Sequence, residues 1–436
     1  MSASKPFVCV GEAHHRLPRE FAQCPICGEP VVKWSPVTSE SEKATTPSVD
    51  VSSIPVAHAH DVSNVSTSRT SSGFAEFDSV LGGGFVPGEV VLLAGTPGAG
   101  KSTLLAGIAE NIADGGGRVL YLSGEESVEQ IALRHRRVHA DADGIDIVAT
   151  SDASVAKSFI AVGEYDLVII DSIQTLRSSE GLSMMDIAYS LCESAHASAT
   201  PTIMVGHFTK ASEVGGPMTL IHAVDAVLTF TPFGTDGLRI LRAEKNRFGD
   251  VSATACFRHE DDGLVEVPDP SGISGSRSAS ELIGIGPTVM MEGTKAIVAE
   301  VQSLIVPAMS QSPQFAVQGI TSAKARIVLA ALSRVGVDVI GSDVFIDIGG
   351  NIRTRDSGID LAVAASMASA SMNVPVSVDA AFIGEILLTG EVRAASSSKV
   401  RAAMAHKLGM TTVGVGDDAD IRVGSVRELV NYLGRR

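Results

Sequence analysis

The sequence predicts an α/β protein with a mostly parallel sheet, preceded by a small cysteine-bearing segment and followed by an α+β segment. Three observations carry this reading. Short apolar runs alternate with helix-period stretches between residues 89 and 230, the pattern of βαβ units. A glycine-rich turn, Gly95 to Thr103, joins one of those runs to the helix after it. Hydrophobic residues make up 44% of the chain and aromatics only 4%, with 43 glycines, which suits a turn-rich α/β core better than an all-β sandwich.

The 436 residues are about three times a typical ~150-residue domain. Residues 1–34 carry cysteines and histidines. Residues 35–62 are rich in Ser, Thr, Pro and Val without helical period and read as a flexible linker. From there "EVVLLAG", "RVLYLSG", "YDLVIID", "PTIMVGH" and "AVLTF" read as strands. "KSTLLAGIAENIADGGG", "EESVEQIALRHRRV" and "SMMDIAYSLCESAHASA" read as helices, the first with a glycine stop. A seam dense in Pro, Gly and Ser at 267–280 ends this unit, giving expected domains of 63–268 and 269–436. The tail mixes the strands "KAIVAEVQSLIV", "DVFIDIGG" and "AFIGEILLTG" with the alanine-rich helix "DLAVAASMASASM", whose Ser and Asp favour a close-packed core helix over a membrane span.

A formal charge of −16 argues against wholesale coating by nucleic acid but leaves room for a local basic channel. Five cysteines are too few and too unevenly spaced for a disulfide scaffold. Cys192 and Cys256 lie in apolar runs and are expected to be buried thiols. The first residues have no basic stretch followed by an apolar one, so no signal peptide is expected. No run reaches the 18 or so apolar residues of a membrane span. The expected setting is the cytoplasm.

The stretch Gly95-Thr96-Pro97-Gly98-Ala99-Gly100-Lys101-Ser102-Thr103 fits G-x-x-x-x-G-K-[ST] between a strand and a helix. Its glycines let backbone N–H groups wrap phosphates, and the helix N-terminus adds a favourable dipole. Lys101 reaches the β/γ-phosphates, and the Ser102 hydroxyl is a Mg²⁺ ligand. Asp171 ends a buried strand beside this loop, where a carboxylate serves Mg²⁺ or its water, or else caps the next element. Glu125 and Glu126 end another strand and are candidates to polarise the attacking water, Glu125 being nearer the strand end. His207, on "VGHFTK", is either a sensor of the γ-phosphate or a structural histidine.

"GTPGAGKSTLL", "YLSGEES", "YDLVIIDSIQTL", "GHFTK" and "KNRFG", in that order and spacing, resemble the bacterial RadA (Sms) DNA repair proteins. These are RecA-like P-loop ATPases with an N-terminal zinc finger and a C-terminal domain resembling the Lon protease. KNRFG is the family's own signature; the phosphate loop alone is unspecific. The resemblance implies a ring, expected to be a hexamer, whose ATP hydrolysis is stimulated by DNA. It implies action on single-stranded and branched DNA, promotion of branch migration, and cooperation with RecA. It also implies that Glu125 activates water, Asp171 serves the metal and His207 senses phosphate. Lys245 and Arg247 would then reach across a subunit interface to the neighbour's ATP; the alternative is local salt bridging, for instance with Glu244 or Asp250.

Two departures from the family pattern stand out. Its finger is C-x2-C, a spacer, then C-x2-C. Here Cys24-Pro-Ile-Cys27 is intact but the first half reads Cys9-Val-Gly-Glu12. Cys9, Cys24 and Cys27 are zinc-ligand candidates, with the fourth ligand open among Glu12, His14 and His15, or the finger has decayed and binds nothing. In the tail, Lys399 stands where Lon has its catalytic lysine, but Asp360 stands at the serine's position and Ser357 is offset by three residues. An aspartate cannot be the nucleophile of a Ser–Lys dyad, so no peptidase activity is expected. Candidate DNA contacts are the clusters Arg134, Arg136 and Arg137; Lys324 and Arg326; Arg353 and Arg355; Lys399 and Arg401.

Overall fold

The structure, a computed structural model, describes residues 7–10, 15–33, 68–137, 143–207, 219–234, 237–261, 263–268, 281–339 and 341–435. The expected linker lies outside the described residues. The chain divides into two compact units, Met1–Ser66 and Thr67–Arg436.

In the first unit, β1 (Phe7–Cys9) pairs antiparallel with both β2 (Arg16–Leu17) and β3 (Val31–Lys33). Cys9, Leu17 and Cys24 form its small buried cluster. So few apolar residues cannot supply a conventional core, and domains of this size usually need a metal or disulfides.

The second unit is built on a nine-stranded sheet. Its strands are β4 (Val90–Gly95), β5 (Val119–Ser123), β6 (Ile145–Ala149), β7 (Leu167–Asp171), β8 (Thr202–His207), β9 (Ala226–Pro232), β10 (Leu238–Asn246), β11 (Thr254–Glu260) and β12 (Gly263–Glu266), in the order β12-β11-β10-β9-β4-β8-β7-β5-β6. From β9 to β6 every pairing is parallel, and β10 to β12 extend that edge antiparallel. The antiparallel edge carries the KNRFG segment, and β10 escapes the apolar-run reading because charged residues interrupt its buried apolar ones.

Strand β4 lies at the centre and all six of its residues are buried. Successive side chains point to opposite faces. Val91 and Leu93 join one buried cluster with Leu104, Leu105 and Ile108, and Val90 and Leu92 join another with Leu191 and Ala195. Helices therefore cover both faces: α1 (Ala75–Leu81), α2 (Lys101–Asp114), α3 (Val128–Arg137), α4 (Ala153–Val162) and α5 (Met184–Ser198), with the short α6 (Thr219–Ala223) before β9. Cys192 and Cys256 are buried thiols as expected, and burial pushes each up to about 12.

After the short β13 (Glu281–Leu282), a second sheet comprises β14 (Ile285–Glu292), β15 (Lys295–Pro307), β16 (Phe315–Val317) and β17 (Ser342–Ile348), ordered β14-β15-β17-β16. The helices α7 (Ser322–Arg334) and α8 (Asp360–Met372) follow, the latter being the alanine-rich segment, buried from Asp360 to Ser369. The helices α9 (Ser398–Lys407) and α10 (Val426–Gly434) complete the chain. The expected boundary after residue 268 adjoins 269–280, outside the described residues. On either side of it, Phe233, Leu238, Ile240 and Cys256 share one buried cluster with Ile285, Met290 and Ile297. The ion pairs Glu76–Lys295 at 2.7 Å and Arg242–Glu292 at 2.5 Å reinforce that junction.

The tail contains a buried ion pair. Arg401 has 0% exposure, and its two terminal nitrogens meet the Asp356 carboxylate at 2.7 and 2.8 Å. It also donates to the carbonyls of Val289 and Ser396. Burial opposes ionisation of Asp356, but the Arg401 guanidinium outweighs it and holds the carboxyl below its ordinary value. Asp356→Ala strands a buried guanidinium and should cost about 3–5 kcal/mol, read as a lowered urea midpoint; an unchanged midpoint would contradict this. Because the folded pKa is depressed, the stabilisation is complete above the ordinary carboxylate range near about pH 4 and is lost as pH falls through the lower folded value. An Asp356→Asn chain should lack that acid-side loss.

Candidate functional site

The phosphate loop begins where β4 ends. Gly95 pairs with His207 of β8, and a Cβ on it would stand 2.2 Å from the Phe230 carbonyl oxygen of β9, so only glycine fits between these strands. Gly100 caps α2 with φ +97°, a left-handed conformation that favours glycine. Lys101 is 5% exposed, and its ammonium donates to the carbonyls of Gly95 at 2.7 Å and Thr96 at 3.3 Å. Burial lowers its pKa, against the pull of Asp171 and Glu125. Arg239 of β10 donates to the Ala99 carbonyl at 2.9 Å and anchors the middle of the loop.

The residues expected to serve Mg²⁺ meet directly: Ser102 Oγ donates to Asp171 Oδ2 at 3.0 Å. Tyr121, fully buried on β5, donates its hydroxyl to the same oxygen at 2.8 Å. The sequence reading missed Tyr121; its signal was a hydroxyl flanked by leucines, two residues before the Ser123 that ends the strand. Ser172, joined to Asp171 by a cis peptide bond, donates to Glu125 Oε1 at 2.7 Å. Glu126 forms an ion pair with Arg134, which separates the two glutamates: one is committed to a helix cation, the other faces the Asp171 strand end. His207 ends β8 beside Gly95, but its side chain, like Thr209 and Lys210, lies outside the described residues. Together these are the parts of an ATP hydrolase site: a backbone cradle, a buried lysine, a hydroxyl–carboxylate pair for a divalent cation and an adjacent glutamate.

The KNRFG segment sits at the other end of the sheet. Lys245 pairs in register with Val227, next to the start of β9, and the Arg247 N–H donates to the Asp225 carbonyl at 3.1 Å. Lys245 Nζ caps α6, donating to the carbonyls of Ile221 at 2.8 Å and Val224 at 2.7 Å. Arg247 Nη1 meets Asp225 Oδ1 at 2.8 Å, and the side chain remains 51% exposed. The local salt bridge is thus with Asp225, 22 residues away in sequence, and Asp225 was not foreseen.

Of the tail residues compared with Lon above, Asp360 is 1% exposed and pairs with Lys324 at 2.7 Å while accepting the Ile386 N–H at 3.0 Å. Burial raises its carboxyl to about 6 despite the lysine. Lys399 is exposed on α9. The basic clusters also divide. Arg134, Lys324 and Arg401 are held by Glu126, Asp360 and Asp356, and Arg326 lies over the Phe315 ring. Arg136, Arg137, Arg353, Arg355 and Lys399 are exposed.

In the first unit, Cys9, His15, Cys24 and Cys27 bring their ligand atoms within 4.8 Å of one another. Glu12 and His14 lie outside the described residues. His15 Nδ1 stands 3.6 Å from Cys9 Sγ and 3.7 Å from Cys24 Sγ, and Cys27 Sγ lies 3.6 Å from Cys9 Sγ. Tetrahedral zinc, with bonds of about 2.3 Å to sulfur and 2.0–2.1 Å to nitrogen, places thiolates about 3.8 Å apart and a thiolate about 3.6 Å from an imidazole nitrogen. The donor set and its spacing fit that ion. Burial works against ionisation of Cys24, but the N–H groups of Ile26 and Cys27 prevail and bring the thiol down to about 7.

A family model described as an AAA domain matches residues 57–213. The DNA repair protein RadA of Streptococcus pyogenes serotype M6 is 36% identical over 420 residues, covering 93% of this chain and 91% of that one. The protein of the same name from Mycolicibacterium smegmatis is 36% identical over 424 residues, covering 92% and 89%. That from Mycobacterium tuberculosis H37Rv is 35% identical over 414 residues, covering 92% and 85%. A solved structure, the KaiC-like protein PH0186 from Pyrococcus horikoshii OT3, aligns with 46% of this chain and 99% of its own at 20% identity, with a TM-score of 0.40 too low to carry an argument. Among the described residues no helix is long and apolar enough to cross a membrane. At this identity over nearly the full length of both chains, the chain belongs to the DNA repair protein RadA family.

Proposed function

We propose that the chain is a DNA-stimulated ATPase of recombinational repair, working as a homo-oligomeric ring in which each ATP is hydrolysed between two subunits. One observation carries the inter-subunit reading. Val90 and Gly95 are the two ends of β4, so roughly 16 Å of strand separates them. The Asp225 N–H donates to the Val90 carbonyl and the Arg247 N–H to the Asp225 carbonyl. Lys245 and Arg247 are therefore at the far end of the sheet from their own phosphate loop, beyond the reach of a side chain. A half-exposed arginine there suits a nucleotide on a neighbour, where it would offset charge on the transferring phosphoryl group.

Within each site Lys101 holds the β/γ-phosphates and Glu125 orients the attacking water. Ser102 and Asp171 would hold a Mg²⁺ ion, which would offset charge on the phosphates when bound. His207, at the end of the strand beside Gly95, is proposed to report the γ-phosphate. The exposed Arg136, Arg137, Arg353, Arg355 and Lys399 are the basic residues we assign to DNA, with counterion release supplying affinity despite the acidic whole. Action on single-stranded and branched DNA, branch migration and cooperation with RecA are part of the same proposal, supported by family membership. We assign residues 63–268 to the ATPase domain and 269–436 to a Lon-like domain that is not a peptidase. Its Asp360 is buried against Lys324, far from nucleophilic use. Zinc in the Cys9, His15, Cys24 and Cys27 site would supply the first unit with the cohesion its small core lacks.

Lys101→Ala should abolish ATP turnover, and Arg247→Ala should slow it by about 10²-fold or more with the fold intact. Lys101→Ala alone should be inactive and Arg247→Ala alone slow, but mixing them should restore part of the single-stranded-DNA-stimulated rate, because the first supplies Arg247 to the intact loop of the second. A mixture no faster than its components would count against the inter-subunit reading. Metal analysis of protein prepared without chelator should give one zinc per chain. His15→Ala should weaken retention while Cys27→Ala removes it. Equal zinc retention by His15→Ala and the wild type would show that the fourth ligand lies elsewhere.

A further inference from the structure

Asp225 lies between α6 and β9 and is 2% exposed. A buried carboxylate must be compensated, and three donors converge on it. The Val90 N–H donates to Oδ2 at 2.9 Å, and His196 Nε2 lies 2.8 Å from the same oxygen. Arg247 Nη1 donates to Oδ1 at 2.8 Å. The first two contacts set the plane of the carboxylate without any help from Arg247, so Oδ1 is already placed to receive the guanidinium. Backbone bonds reinforce the arrangement: the Asp225 N–H donates to the Val90 carbonyl and the Arg247 N–H to the Asp225 carbonyl.

Arginine is a flexible side chain that loses considerable rotamer freedom when fixed. Fixing it in advance removes that cost from the step at which it is needed. A guanidinium has five N–H donors, and the Asp225 contact uses the one terminal nitrogen while half of the side chain stays open to solvent. We propose that Asp225 is a positioning residue: it holds Arg247 in the pose presented to the adjoining subunit's nucleotide and ties that pose to the first residue of β4, the strand that ends in this subunit's own phosphate loop. The proposal rests on the inter-subunit reading above and deepens it. Asp225 touches no phosphate; it acts through Arg247.

The test is steady-state ATP hydrolysis by the full-length chain with single-stranded DNA. Asp225→Asn keeps the shape and removes the charge. It should lower kcat on the order of tenfold, with KM for ATP changed little, since misplacing a transition-state group affects turnover more than binding. On an Arg247→Ala background the same substitution should cause no further loss. Mixed with Lys101→Ala subunits, Asp225→Asn subunits should recover activity, because their own phosphate loops are intact and receive a well-placed arginine from the neighbour. Wild-type kcat in Asp225→Asn, an undiminished loss on the Arg247→Ala background, or no recovery on mixing would each overturn the proposal. If Asp225→Asn does not assemble, His196→Ala, whose ring is about half exposed, loosens the same carboxylate. It must then show the kcat-only loss, and wild-type turnover in it would equally overturn the proposal. Unchanged turnover in Arg247→Ala would instead sink the inter-subunit reading itself.

Discussion

Strand β4 is the fixed reference of the second unit. It is hydrogen-bonded to β8 on one side and β9 on the other, and its side chains feed the buried clusters on both faces. Burying a Val or Leu side chain fully contributes about 1.5–3 kcal/mol, and β4 has two of each, so it cannot shift without opening both faces at once. Its two ends are consequently held at a fixed separation. At one end Gly95 turns into the phosphate loop; at the other Val90 meets Asp225. The chemistry at either end inherits its rigidity from this strand, and any change at one end has a short, stiff path to the other.

The same pairing of a cation with a buried carboxylate occurs at three places in the second unit. Asp225 takes Arg247 and His196, Asp356 takes Arg401, and Asp360 takes Lys324. The net charge of −16 is a sum over the whole chain, whereas these cations serve individual buried carboxylates. That distinction sorts the basic clusters. In Lys399–Arg401 one member is exposed and the other is fully buried two residues later, because on α9 they lie on different sides of the helix. Adjacency in sequence therefore overstated how many cations face solvent.

Much of the ATP site was legible because its requirements are local. The turn from Gly95 to Thr103, the helix after it and the carboxylate ending "YDLVIID" need only a strand, a loop and a helix in register. Tyr121, Ser172 and Asp225 were not legible because each acts on a residue dozens of positions away, and nothing nearby in sequence marks the encounter. The antiparallel strands β10 to β12 were missed for a related reason: polar and charged residues interrupt them, so they lack the continuous apolar run that identified β4 and β7. The Cys/His site was legible as three thiols with an open fourth place. Pairing brings His15 to the thiols, since β1 and β2 run antiparallel and return His15, just before β2, to Cys9 at the end of β1. Its N–H donates to Cys9 Sγ at 3.1 Å, so the backbone brings the imidazole to the sulfur.

The KNRFG segment combines presentation and anchoring. Lys245 is occupied by the carbonyls that end α6 and helps fix the turn leading to Asp225. Asn246 donates to the Val80 carbonyl at 3.1 Å and accepts the Phe248 N–H at 2.8 Å, making a side-chain turn that sets the direction of the chain after β10. The Phe248 carbonyl receives Arg69 at 3.0 Å. A Cβ on Gly249 would stand 2.9 Å from the Leu81 carbonyl oxygen and 3.1 Å from Gly82 Cα, so the turn closes against the end of α1 only with glycine. Of the five, Arg247 alone pairs its charge with a buried carboxylate while half of its side chain faces outward. The other four secure the segment on α6, α1 and the preceding loop. Lys245 is thus a clamp on α6, where its ammonium donates to the carbonyls of Ile221 and Val224. The two cations that look equivalent in sequence thus differ once the segment is folded: Lys245 gives two of its three N–H groups to the end of α6, whereas Arg247 meets Asp225 through one terminal nitrogen and keeps half of its side chain open to solvent.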